Sequence, residues 1–128
     1  MRWYDITANL VLTDSDGVDE TCGYRFELPL DDNMQLVEAD WKHNERPYRV
    51  TRFWKNEATL KGQLVLHMRN SWSIVYPHPV KPDATVQLGE EIMQVGEPLS
   101  IRDHASAAHN FCITSMDETR WFPTAKNE

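Results

Sequence analysis

A small antiparallel β-barrel or sandwich of about six to eight strands is what this sequence predicts, and two patterns predict it. From residue 62 onward, short apolar-alternating runs are each ended by turn chemistry: 63–68 (QLVLHM) by Arg69-Asn70, 71–76 (SWSIVY) by a break at 78–82, and 85–88 (TVQL) by Gly89. Runs at 92–95, 99–101 and 110–116 continue the cadence, punctuated by Gly96 and Asp103. The second pattern lies at the N-terminus, where two longer runs alternate apolar and polar residues with the period of a sheet that buries one face.

In the first of these, 2–13, Tyr4, Ile6, Ala8, Leu10 and Leu12 point one way and Asp5, Thr7 and Asn9 the other. In the second, 22–30, Cys22, Tyr24, Phe26, Leu28 and Leu30 oppose Arg25, Glu27 and Pro29. The acidic stretch between them, 14–20 (DSDGVDE), joins the two as a hairpin tip. Its D-x-D-G opening has no Glu at the closing distance and no flanking helices, so it does not read as a calcium loop.

Residues 31–61 leave the β cadence, and one or two short helices are predicted there. Asp31 or Asp32 is placed to cap a helix carrying Met34, Leu36, Val37 and Trp41. Pro47 suits a first helical position, Val50, Phe53, Trp54 and Ala58 follow at helical spacing, and Gly62 suits the end. A strand over 48–55 is the alternative. It would put Tyr48, Val50, Arg52 and Trp54 on one face and bury an arginine, so the helix is preferred. Residues 1–118 then form one β-rich domain, and 119–128 form a C-terminal tail with Trp121-Phe122-Pro123.

Composition narrows the function classes. The chain has 128 residues, 41% hydrophobic and 26% charged, as a soluble single domain requires. No stretch approaches the roughly 18 apolar residues of a membrane helix. Cys22 and Cys112 sit inside apolar-alternating runs without a CxxC spacing, so they read as buried thiols of a protein expected in the cytoplasm. Net charge is −7, and it is unevenly spread. Residues 1–41 carry two basic side chains against ten acidic, whereas 42–69 carry seven basic against two acidic. Such a surface is unsuited to nucleic acid and suits a protein partner, a basic one for the acidic part.

Candidate binding residues follow from that distribution. Asp14, Asp16, Asp19 and Glu20 form an acidic docking loop. Arg46, Arg49 and Arg52 recur every third residue and, on a helix, would make a cationic stripe with Trp54 turned inward. Trp121 is placed for an interface, with a homodimer formed by edge pairing or tail exchange.

Catalytic chemistry finds no footing. The five His lack H-x-H, HxxxH or HExxH spacing. His104 or His109 with Cys112 would be the candidate nucleophile pair, but i and i+3 on a strand point to opposite faces. There is no G-x-S-x-G elbow and no Gly-rich phosphate loop, so no catalytic residue, metal or cofactor is expected.

The function expected from the sequence is that of a non-enzymatic acidic interaction protein, an inhibitor, bacterial immunity-type protein or assembly subunit. The alternatives are a small-ligand-binding barrel or a small barrel enzyme using His. A closed apolar cavity lined by His67, Trp72 and Ile74 would mark the ligand barrel, and a solid core with exposed acidic loops the docking protein.

Overall fold

A computed structural model describes residues 1–15, 17–39, 41–43, 46–77, 81–103 and 108–119, with only the backbone of His43. Alternation decides the architecture. Eight strands, β1 (Arg2–Val11), β2 (Val18–Leu30), β3 (Arg49–Phe53), β4 (Leu60–Met68), β5 (Ser71–Val75), β6 (Ala84–Gln87), β7 (Pro98–Arg102) and β8 (Ala108–Thr119), follow one another in chain order. Each pairs antiparallel with the next, and β8 returns to β1, so the sheet closes as an up-and-down barrel. Among the described residues every strand thus has a neighbour on both sides, and no strand lies at an open sheet edge.

At eight strands a barrel interior is just wide enough to be filled by side chains. Ile6, Tyr24, Phe26, Leu28, Val50, Leu64, Trp72, Ile74, Val86, Ile101, Phe111 and Ile113 are inward at the predicted period of two, and each is at most 2% exposed. The ladders are long at β1–β2 and β1–β8 and shortest at β6–β7, where Thr85↔Arg102 and Val86↔Ile101 are the paired residues. The run expected as a strand at 92–95 is instead part of the β6–β7 connection. Of it only Met93 is buried, its N–H bonded to Met34 O at 2.8 Å.

The helices expected around 31–61 are absent. Among the described residues there is no α-helix, only a 3-10 turn at Trp41–His43. Asp31 does accept backbone N–H groups, as a cap would, but from Asn33 (2.8 Å) and Gln35 (3.0 Å), and Met34 then turns through φ 60°. After this turn the chain crosses the end of the barrel as an irregular, non-helical segment. Leu36 bridges to Leu30, Gln35 Nε2 donates to Glu90 O, and Glu38 Oε2 accepts the Asn70 N–H at 2.9 Å. Residues 49–53 then enter the sheet between β2 and β4. Without a strand here the barrel could not close, and that pairing outweighs the weak helical preference of RVTRF.

That crossing segment plugs one end with rings. Trp72, fully buried, lies 5.7 Å from Tyr48 and 5.9 Å from Trp41, and Trp3 meets Tyr48 edge-on at 5.6 Å. Their polar atoms are satisfied: Trp72 Nε1 donates to Leu88 O and Tyr48 Oη to Val37 O. The cavity that would line on Trp72, Ile74 and His67 is therefore closed. The first two fill the core, and exposed His67 lies on the outer face against Ser73.

Between β1 and β2 the register jumps after the Asn9↔Gly23 pair. Asn9, 5% exposed, ties the bulge across three strands, donating to Cys22 O and accepting from Thr114 Oγ1 at 2.7 Å. A Cβ at Gly23 would overlap the Ala8 carbonyl oxygen and press on the Phe53 ring at 3.0 Å. We expect Gly23→Ala to destabilise the protein by about 1–3 kcal/mol, seen as a lowered denaturant midpoint at unchanged m-value.

Candidate functional site

The end of the barrel opposite the aromatic plug is polar inside, and β3 is the reason. With Val50 facing inward, the period of two turns Arg52 inward as well, to 5% exposure. Its Nη1 donates to Glu57 Oε1 at 2.9 Å, and its guanidinium lies over Trp54, 4.6 Å from the ring centroid. Glu57 follows in the β3–β4 turn, fixed by its N–H to Trp54 O, and is itself about half exposed, with side-chain exposure of 52%. Tyr24 from β2 and Tyr76 just after β5 are also inside, 2% and 4% exposed, and Asp103 lies just after β7. Phe111 forms the apolar wall, edge-on to Tyr24 at 5.2 Å and to Trp54 at 6.3 Å.

The electrostatics of this cluster follow from burial. Desolvation pulls the Arg52 pKa down, but the Glu57 hydrogen bond and the charges of Tyr24 and Glu57 outweigh it, and the guanidinium is held more firmly charged than usual. Burial raises the Tyr24 hydroxyl above its ordinary pKa, with the Asp103 charge adding to it. Burial likewise drives Tyr76 far above the phenol range, with Tyr24 next in weight, so both tyrosines stay protonated donors. Arg52 and Asp103 act on both tyrosines, which puts the four groups in one neighbourhood. The Tyr24 hydroxyl interacts with both Arg52 and Tyr76, yet Arg52 Nε, Tyr76 Oη and Asp103 Oδ1, all buried, make no hydrogen bond of full geometry among the described residues.

The sequence-predicted residues are dispersed by the strand. Arg49 and Arg52, three apart, fall on opposite faces instead of sharing a helical stripe: Arg49 is exposed and Arg52 is inside. Arg46 precedes the strand and is structural. It reaches Glu27 Oε1 at 3.1 Å and caps the Trp3 ring at 4.5 Å. There it faces a row of carboxylates, since Asp5 pairs with Glu27 on one side and Asp117 on the other. Burial and then the Glu27 charge raise the Asp5 pKa, and Arg46 offsets part of the effect. Of the predicted binding residues, Arg52 and Trp54 join the cluster.

Of the acidic loop, Asp14 and Glu20 are exposed. Asp19 is held within its own turn by the Thr21 hydroxyl and N–H, which lower its pKa, and it sits 4.0 Å from Lys55. Asp16, Trp121 and the tail beyond Thr119 lie outside the described residues.

Other chemistry is thinner. His67 Nε2 and Ser73 Oγ meet across β4–β5, but Ser73 is 3% exposed and no described carboxylate orients the imidazole, so the contact serves to lock two strands. Cys22 and Cys112 are free thiols. Among the described residues no three His, Cys, Asp or Glu side chains assemble as a metal site.

Tyr24, Glu57, Tyr76 and Asp103 were not singled out by the sequence. The one available signal was the strand alternative itself, which required an internal arginine and therefore internal partners for it. Comparison with family models, with curated proteins and with solved structures returns no match.

Two expectations follow from these charges. Glu57→Gln strips Arg52 of its counter-ion and should destabilise by about 1 kcal/mol, discounted because Glu57 is half in water. Arg52→Met removes the buried charge itself and should melt at or above the parent temperature. For Asp5, whose folded pKa is raised, the ionised form costs stability at neutral pH and the protonated form does not. Asp5→Asn should therefore raise the melting temperature at neutral pH, and the gain should vanish as pH falls through the carboxylate range.

Proposed function

We propose that this protein binds a small polar molecule at the Arg52 end of its barrel. One observation carries the reading: three buried polar atoms of different character, Arg52 Nε, Tyr76 Oη and Asp103 Oδ1, share one neighbourhood and make no hydrogen bond of full geometry among the described residues, although the Tyr24 hydroxyl lies near Arg52 and Tyr76. Each such atom costs about 1–3 kcal/mol when it is buried unbonded. A fold retains that cost where a bound group repays it. With the interior filled around Trp72 and Ile74, binding belongs at this end and not in a deep central cavity.

The chemistry of the three atoms defines the guest. Arg52 Nε–H needs an acceptor, Asp103 Oδ1 needs a donor, and the Tyr76 hydroxyl takes either. Arg52 is already neutralised by Glu57, so Asp103 leaves the cluster with an excess of negative charge, which disfavours a bare anion. A neutral head with adjacent acceptor and donor, as in an amide, meets all three. Trp54 and Phe111 supply aromatic surface for an attached apolar group. The two free thiols, one buried, fit a reducing compartment such as the cytoplasm.

The docking reading keeps exposed Asp14 and Glu20 for a basic partner. It ranks second, because Asp19 is engaged within its own turn and the buried cluster needs a different explanation.

Calorimetric titration with aryl amides and the matching aryl carboxylates tests the proposal. The amides should bind more tightly than the carboxylates. Tyr76→Phe, which deletes an unsatisfied hydroxyl, should weaken amide binding about tenfold while leaving the melting temperature of the free protein equal or higher. Amide affinity indifferent to Tyr76→Phe would refute it.

A further inference from the structure

Outside the barrel, on the face of β3, β4 and β5, a groove of about 390 Å³ is lined chiefly by apolar surface. Val65, Val75, Tyr76 and Pro77 are among its walls, and Arg49 and Lys61 line it as well. The sequence builds it by register. Arg49 pairs with Gln63, and Gln63 with Val75, so these outward side chains lie in one row across three strands. Gly62, beside this row, has no room for a side chain: a Cβ there would meet Val75 O at 2.6 Å and the Tyr76 ring at 3.1 Å.

The electrostatics of the groove differ from those of the rest of the molecule. Net charge is −7, yet the two charged side chains lining the groove, Arg49 and Lys61, are both cations. Both are exposed, and neither makes an ion pair among the described residues. The acid across the strand from Arg49 is Glu27, whose carboxylate is engaged by Arg46. Two uncompensated cations beside an apolar floor are complementary to a molecule with an anionic head and an apolar body. The groove volume lies toward the lower end of the range for small-molecule pockets.

We propose that this groove is a second binding site, independent of the barrel interior, for an amphipathic organic anion such as an aryl or alkyl carboxylate or sulfonate. The apolar body lies on Val65, Val75 and Pro77, and the head is held by Arg49 and Lys61 in a water-exposed, salt-sensitive contact. Tyr76 is shared by the two sites through different atoms. The residue lines the groove, and its hydroxyl belongs to the interior cluster.

Fluorescence titration with anilinonaphthalene sulfonate, and with neutral phenylnaphthylamine as the uncharged counterpart, tests the assignment. Both cation positions are exposed, so the Arg49→Gln/Lys61→Gln double variant should fold normally. It should bind the sulfonate about tenfold more weakly and the neutral probe unchanged. Val75→Asp should weaken both probes, and Tyr76→Phe, which keeps the ring, should weaken neither. The last variant separates this groove from the interior site, whose amide binding depends on the hydroxyl. Parental sulfonate affinity in the double variant would overturn the proposal. So would probe binding that falls as protein concentration rises into a dimer, because the groove would then be covered by a second copy.

Discussion

Closure of the sheet between β1 and β8 is the constraint from which the rest of this structure follows. Once the ring is shut, each strand has only an inside and an outside, and parity along the chain assigns every side chain to one of them. Residues three apart can no longer act together. That is why Arg49 ends up in water and Arg52 in the interior, although the two look equivalent along the sequence. The same parity sends Trp72 into the core between two outward serines, so polar neighbours on both sides do not mark it as a rim residue.

The two ends of the barrel resolve the problem of burying polar atoms in opposite ways. At the plugged end the two most deeply buried rings with polar tips each bond a backbone carbonyl, Trp72 at Leu88 and Tyr48 at Val37, and the rings gain edge-to-face contacts in addition. At the Arg52 end the ion pair with Glu57 is made, but Arg52 Nε and the neighbouring Tyr76 and Asp103 atoms are left without a full hydrogen bond among the described residues. Among the described residues, three of the four buried side-chain atoms without a hydrogen bond lie at the Arg52 end, and the fourth, Arg46 Nη1, lies beside Trp3 at the plug. Binding sites are commonly built from that kind of imbalance, on a frame made rigid elsewhere.

Much of the fold was legible in the sequence because alternation is a local signal. The inward set of the first hairpin, Ile6, Ala8, Tyr24, Phe26, Leu28 and Leu30, was read from period two alone. The reading failed over 31–61 because the forces there are not local. Residues 49–53 are a strand because β2 and β4 need a partner between them, and 31–39 is non-helical because it is laced to loops far along the chain. The candidate site suffered most. Its members come from β2, β3, the β3–β4 turn and the ends of β5 and β7, and nothing in one-dimensional spacing joins Tyr24 to Tyr76 or Asp103. The objection raised against the strand, that it would bury an arginine, was in fact correct chemistry: Arg52 is buried, and the partners it requires are the site.

The short β6–β7 ladder gives the barrel a preferred line of failure. A closed sheet must break one seam before any strand can move, and two paired positions resist far less than the ten that join β1 to β2. Amide protons along this seam therefore exchange through a local opening well before global unfolding, while those of β1 report the stability of the whole. Asp103 stands at the end of β7, so an opening of this seam unfastens one wall of the polar cluster and leaves the aromatic plug intact. The molecule is a hoop with a built-in clasp, and the clasp lies beside its polar interior.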